Sequence, residues 1–251
     1  KQKNKIKVDL EKVAIVTDIT LPTHLSTHDD IYNIVIDPLH NVKSFQDCYN
    51  NLLHKGYGQI LVLCAKSELW PAYHYAKGAI TKELSSIIKI IDSKTCGVGQ
   101  LMMLEESSRL IHKTQMTEDC LRVFDHLKRS LCYWVLPDSL SDLMLESWFE
   151  TWLELHDYSK NINKNIIPLF SLSNEFKVIE TAFKFSAGIE HMLNQVVQEC
   201  ERRHTQSISI QIHYKEHEAY AIFLSQKLKE RFFQKVTIKL MESNDEISQL
   251  F

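Results

Sequence analysis

Only six glycines and five prolines punctuate the 251 residues of this chain, and five of the glycines lie before residue 100. None stands in a G-x-G-x-x-G or Walker spacing, so neither kind of phosphate-cradling loop is present. "GVG" at 97–99 is too short to count. The G-x-S-x-G, H-E-x-x-H and kinase signatures are missing as well. No apolar run approaches the ~18 residues that a membrane span needs, and no signal-peptide pattern is visible, so stable membrane insertion is not expected. A formal charge of −3 and a pI near 6.5 leave no basic field for nucleic acid. The six cysteines, Cys48, Cys64, Cys96, Cys120, Cys132 and Cys200, form no C-x-x-C pair. Several fall inside apolar patterns, which suits reduced core thiols in a cytoplasmic protein rather than a disulfide or zinc framework. His213 and His217 are four apart, but His213 closes a strand pattern, so the pair need not share a helix face. No metal or other cofactor is expected.

What is present is the composition of an ordinary globular protein, 44% hydrophobic and 24% charged, long enough for one large domain or two smaller ones. "KVAIVTD" (12–18), "NIVI" (33–36), "QILVLC" (59–64) and "IIKIID" (87–92) are short, nearly continuous apolar runs. Such runs suit parallel strands covered on both faces. Helical patterns lie between and after them at 45–55, 72–84 and 98–112, which gives βαβ alternation and predicts a doubly wound parallel sheet. A further helix opens at Thr117, a candidate N-cap, with Cys120, Val123, Phe124 and Leu127 on one face. Past residue 130 the pattern changes. "SISIQIH" (207–213) and "VTIKL" (236–240) alternate strictly, which marks a sheet covered mainly on one face. Between them Ile189–Cys200 and Tyr220–Leu228 carry amphipathic helical spacing. The expectation is therefore a two-domain α/β protein: an N-terminal domain over 8–129 and a C-terminal α/β domain over 130–251. "LCYWVL" (131–136) is expected to join the sheet of the two alternating strands.

Chemistry is expected at the C-terminal edge of the first sheet. Asp18 and Thr20 sit just past the first strand, at the crevice position of an open α/β sheet. The same position lets either one cap the following turn. Ser67 lies in the loop after "QILVLC", and Ser93 ends the "IIDS" strand. Hydroxyls gathered there can each donate one hydrogen bond to a carboxylate or phosphate oxygen, although Ser93 can equally cap the helix through Gly99. The loop "CAKSELWPAYHYA" (64–76) carries Trp70-Pro71 where an anion cradle would want glycine. No nucleophile–base pair accompanies these groups, so no enzyme is expected.

Three collinear stretches, each at a strand end, resemble one family. "VAIVTDITLPTHL" looks like the opening "VTDS/T…DLP" of the DegV family of bacterial fatty-acid-binding proteins. "LLHKGYGQILVLCAKSELWPAYHYA" is similar to its "l..kGy..Ilvi.lSS.LSGTYqsA", and "IIKIIDSKTCGVGQ" to its "v.ViDSk..s.gqG". "LCYWVLPDSLSDL" and "NIIPLFSLSNEFKVIETAFKFSAGIEHML" resemble stretches of the second domain. The resemblance implies two α/β domains with a long-chain fatty acid in an apolar tunnel between them, its carboxylate held by hydroxyls of such loops. In some members a separate fatty acid kinase phosphorylates that carboxylate. Ser67 aligns with the second serine of "SS.LSGT", while Asp18 and Thr20 align with the ends of "DST".

The departures bear on function. "SGT" has become Trp70-Pro71-Ala72, the "T-S-Q-P" segment has no counterpart, and "GGRi" is replaced by "MLESWFETW". The arginine of "k.Rt..kA" is replaced by Phe183 or Lys184, and the glycine-rich C-terminal tail by "NDEISQLF". The resulting expectation is a non-catalytic lipid carrier with a degenerate head-group site formed by Asp18, Thr20, Ser67, Trp70 and Ser93, and a poor partner for such a kinase. The competing expectation is a scaffold whose tunnel is filled by its own side chains and which acts through protein–protein interaction. Trp70 fits either: it can plug the tunnel mouth, cap a bound chain or pack in an interface. Trp148, Phe149 and Trp152 can be a core face, a dimer face or a tunnel lid.

Overall fold

The computed structural model describes residues 9–18, 31–33, 41–68, 70–114, 117–137, 166–171, 177–203 and 207–242. It divides into two compact units, Lys1–Leu131 and Cys132–Phe251. In the first unit the order is β1 (Asp9–Thr17), β2 (Ile31–Asn33), α1 (Asn41–His54), β3 (Tyr57–Cys64), α2 (Ala72–Gly78), β4 (Ile88–Asp92), α3 (Gly97–Thr114) and α4 (Thr117–Ser130). The four strands form one parallel sheet in the order β2-β1-β3-β4. The chain steps outward from β1 to β2, then crosses back to β3. The strand order therefore reverses between β1 and β3, and the C-terminal ends of those two strands flank the switch point.

Burial explains why the strands read as continuous apolar runs. Ala14, Val16, Ile60, Val62 and Cys64 pack with Phe45, Tyr49 and Leu52 of α1 and with Ala72 and Ala76 of α2. The alternate residues Val13, Ile15, Leu61 and Leu63 are buried too, with α3 lying against β1 and β3 and α4 against β3. A period of two thus vanishes because both faces are covered. β1 and β3 approach closely at Gly58, where an added Cβ would lie 2.3 Å from the Asp9 carbonyl oxygen.

Two local expectations change. α2 ends at Gly78, and successive turns carry the chain through 79–87 to β4. Ile80, Leu84 and Ile87 still pack on the core, which is why the apolar spacing reads as helical beyond the helix. The Thr117 hydroxyl does not cap α4. Gln59 Oε1 accepts from the Thr117 backbone N–H at 3.2 Å and from its hydroxyl at 3.0 Å, so the cap comes from β3.

The second unit contains β5 (Trp134–Val135), β6 (Ile167–Ser171), β7 (Lys177–Ala182), α5 (Phe185–Arg203), β8 (Ile208–Tyr214), α6 (Glu218–Phe232) and β9 (Val236–Glu242). Among the described residues the strand expected at 131–136 is reduced to Trp134–Val135 and does not pair with the alternating strands. Among the described residues β5 pairs antiparallel with β6 and β6 with β7, while β8 and β9 form their own parallel ladder. Ile210, Ile212 and Ile238 pack against a cluster built on Ile189 and Val196 of α5 and Leu224 and Leu228 of α6. Ser209, Thr237 and Lys239 lie exposed on the alternate positions of β8 and β9. Phe223, within the amphipathic stretch Tyr220–Leu228, stands 38% exposed. Six α-helices and three sheets among the described residues make a mixed α/β fold.

Candidate functional site

The C-terminal edge of the first sheet gathers the ends of β1, β3 and β4, and its polar groups fall into two sets. The first set is fully engaged. Asp92 closes β4, and its Oδ1 accepts from the Lys94 N–H at 3.0 Å, an Asx-type turn that holds Lys94 at a φ of 59°. Oδ2 accepts from the Ser67 hydroxyl at 2.5 Å and pairs with Lys94 Nζ at 2.9 Å. Burial works to raise the Asp92 pKa, yet the hydrogen bonds from Lys94 and Ser67 hold it below the ordinary value. Lys94 Nζ also reaches Glu68 Oε1 at 3.0 Å. The loops after β3 and β4 are thereby clasped together, and the Lys66 N–H donates to the Thr95 carbonyl at 2.8 Å across the same junction.

Ser93 is 1% exposed, and its hydroxyl donates to the Thr95 carbonyl at 2.8 Å while accepting the Thr95 N–H at 3.2 Å. It shapes the turn before α3, which begins at Gly97. Ser67 and Ser93 therefore both reach the predicted edge, with their single donors directed to protein acceptors. Thr20 lies outside the described residues, as do Trp148, Phe149 and Trp152.

Asp18 stands at the switch point. Both its oxygens accept from the Ala65 N–H, at 3.0 and 3.1 Å, and Gln100 Nε2 donates to Oδ1 at 2.6 Å. Gln100, fully buried on α3, also donates to Thr17 Oγ1 and to the Leu63 carbonyl, both at 3.2 Å. Burial pushes the Asp18 pKa up to about 6, against the lowering effect of the Gln100 and Ala65 hydrogen bonds.

The second set is not engaged. Gln100 Oε1, Thr95 Oγ1 and Trp70 Nε1 are buried polar atoms without a hydrogen-bond partner. All three belong to this edge, and buried orphans of this kind are uncommon in folded proteins. Trp70 packs its ring on the α1–α2 side of the core. Lys66, on the same loop, is only 2% exposed.

Lys66, Asp92, Thr95 and Gln100 were not among the residues that the sequence singled out. Asp92 was the legible one, being a carboxylate at the end of an apolar strand. Elsewhere the described residues hold no cluster of three or more His, Cys, Asp or Glu suited to a metal ion. No helix among them is long and apolar enough to cross a membrane. All six cysteines are free, with Cys64, Cys96 and Cys120 buried.

A family model described as an uncharacterised protein of the DegV family matches residues 38–248. No curated protein matches the chain. Among solved structures, a DegV family protein from Ruminococcus gnavus, described with vaccenic acid, is similar with a TM-score of 0.70 at 14% identity, covering 96% of this chain and 95% of that one. A DegV family protein from Thermus thermophilus, described for its fatty acid binding, gives 0.71 at 15% identity, with 91% and 92% covered. A stearic acid-binding protein from Eubacterium ventriosum gives 0.71 at 13% identity, with 90% and 89% covered.

Proposed function

This chain belongs to the DegV family, and from that premise we propose that it binds a long-chain fatty acid without transforming it. Its head group would be taken at the C-terminal edge of the first sheet. The observation that carries the reading is the pair of buried donors without an acceptor at that edge, the Trp70 indole N–H and the Thr95 hydroxyl, where open α/β sheets receive ligands. Similar folds described as binding fatty acid, vaccenic acid or stearic acid support the choice of ligand. The apolar tunnel between two domains is carried by the family resemblance. Each methylene buried there would contribute ~0.8 kcal/mol, so the acyl chain can dominate affinity even where head-group contacts are few.

The head-group site is degenerate on this reading. Ser67 is bonded to Asp92 and Ser93 to Thr95, so neither hydroxyl donates to a ligand without giving up a bond inside the protein. Asp18 and Thr20 would flank the head group, and Trp70 would border the first carbons of the chain. The reading places the protein in the cytoplasm, as a carrier or sensor rather than an enzyme.

One observation favours the filled scaffold that acts through protein interaction. The Trp70 ring packs on the core, as a plug would. Extraction of the denatured, purified protein followed by mass spectrometry separates the two readings. A stoichiometric fatty acid supports the carrier. An empty protein that also fails to bind added fluorescent fatty acid refutes it.

A further inference from the structure

The groups that hold Asp18 at the switch point are uncharged. Both carboxyl oxygens accept from the Ala65 N–H, at 3.0 and 3.1 Å, and Oδ1 accepts from Gln100 Nε2 at 2.6 Å. Gln100 has little more to give. Its Nε2 carries two hydrogens and also lies 3.2 Å from both Thr17 Oγ1 and the Leu63 carbonyl. Asp18 is half-buried, so its carboxyl is poorly hydrated yet open to a proton from solvent.

The neighbouring charge that bears most on Asp18 is negative: it is Asp92, at the end of β4. Asp92 has its own cation, since Oδ2 pairs with Lys94 Nζ at 2.9 Å and accepts from the Ser67 hydroxyl. Cys64, ending β3, and Cys96, ahead of α3, both feel the Asp18 charge, and burial pushes both thiols well up, so neither is ionised near neutrality. Lys66, on the loop after β3, acts on Cys96. Two carboxylates thus stand at one edge, one neutralised by a lysine and the other, Asp18, titrating near 6 because burial disfavours its charge.

A ligand entering the crevice of an open α/β sheet comes to the strand ends where Asp18 stands. If its head group is an anion, a third negative charge joins the edge. A like charge raises a carboxyl pKa, and the carboxyl without a cation is the one that yields. We infer that Asp18 couples ligand binding to protons: it takes a proton from solvent as an anionic head group enters the edge and returns it as the head group leaves, so that mild acid favours the loaded protein and mild alkali the empty one. This rests on the lipid-binding reading and adds its regulation.

The test is calorimetry of monomeric oleate with delipidated protein at pH 7, in two buffers of different ionisation enthalpy, which counts the protons taken up per oleate bound. A rise of one unit from about 6 corresponds to ~0.4 proton taken up at pH 7, and to binding ~5-fold tighter at pH 6 than at pH 8. Asp18→Asn should bind oleate with less than ~0.1 proton. Binding by the wild type without proton uptake overturns the inference and leaves the lipid reading intact. Uptake that persists in Asp18→Asn also overturns it, because the proton then sits on another group or on the oleate itself. No binding of oleate removes the lipid reading and this inference together. Should Asp18→Asn not fold, carboxyl-carbon NMR of the aspartate-labelled wild type follows Asp18 directly. Its midpoint should rise by about one unit with oleate bound, and an unmoved midpoint refutes the coupling.

Discussion

Asp18→Asn should stabilise the protein at neutral pH and abolish a specific part of its pH dependence. The carboxyl sits at the switch point, taken out of water, and titrates near 6 instead of 3.8. Below pH 3.8 it is protonated in the folded and unfolded chains alike, and its burial carries no charge penalty. Between those two values the folded state holds a proton that the unfolded state has released, so stability falls as pH rises. Above about 6 both states are ionised, and the folded state bears the full cost of a poorly hydrated carboxylate, about 3 kcal/mol at 1.36 kcal/mol per pKa unit. Asn keeps an oxygen for the Ala65 N–H, and its own amide can donate to Gln100 if the Gln100 amide turns its unpartnered oxygen inward. Urea unfolding at pH 4, 5, 6 and 7 measures the effect directly. The difference between variant and wild type should be small at pH 4 and grow to roughly 2–3 kcal/mol in favour of Asn by pH 7. A difference that does not change across this range would refute the reasoning, because it would mean that Asp18 titrates as an exposed carboxyl.

Ser67→Ala removes one of the two side chains that hold Asp92 Oδ2 and should cost about 1–2 kcal/mol in urea unfolding, with Lys94 retaining the rest of the clasp; an unchanged midpoint would show that Lys94 suffices alone. Gly99→Ala would drive a methyl into the Thr95 hydroxyl and should destabilise by about 1–3 kcal/mol, whereas Gly99→Ala combined with Thr95→Ser, which removes a methyl there, should recover part of that loss. Mixed with ATP, fatty acid and a fatty acid kinase of the same organism, the protein should yield little acyl phosphate. The hydroxyls that would steady the developing charge are bonded inside the protein, and robust turnover would show that other groups have replaced them.

Much of the first unit was legible because its code is local. Runs such as "QILVLC" bury on both faces, and a short, uniformly apolar run between helical patterns suits a covered parallel strand. The end of α2 was less legible, because the turns after Gly78 keep Ile80, Leu84 and Ile87 on the core and imitate helical spacing. The pairing of β5 with β6 was not legible at all. It joins residues separated by a long connection, and a two-residue strand carries no pattern of its own. At the site the sequence could place Asp18, Ser67 and Ser93 on one sheet edge, since strand ends share that edge by topology. It could not say where each hydroxyl points. Gln100 reaches Asp18 across 82 positions of chain, and Lys66, in a polar loop, reads as a solvent-facing lysine until its burial is seen.

The two sets of polar groups at this edge differ in what they ask of a ligand. Asp92, Ser67, Lys94 and Ser93 satisfy one another, as a clasp between two loops requires, and such a clasp would form whether or not anything binds. Gln100 Oε1, Thr95 Oγ1 and Trp70 Nε1 are different: each is buried and each lacks a partner, at a cost of about 1–3 kcal/mol apiece when left so. A scaffold that had merely filled its cavity would gain by replacing such groups with apolar ones of the same shape, Trp70 by Phe for instance, because an apolar atom forfeits nothing there. The two orphaned donors, the Thr95 hydroxyl and the Trp70 indole N–H, are easier to reconcile with a site that an accepting group completes than with a closed core. Trp70→Phe discriminates between the two. In a filled scaffold it should stabilise the protein and leave lipid binding nil. In a carrier it should stabilise the empty protein but weaken its hold on oleate, by ~3–10-fold for the loss of one neutral donor. Stabilisation of the delipidated protein with oleate binding unaltered would show that the indole N–H has no part in the head-group site.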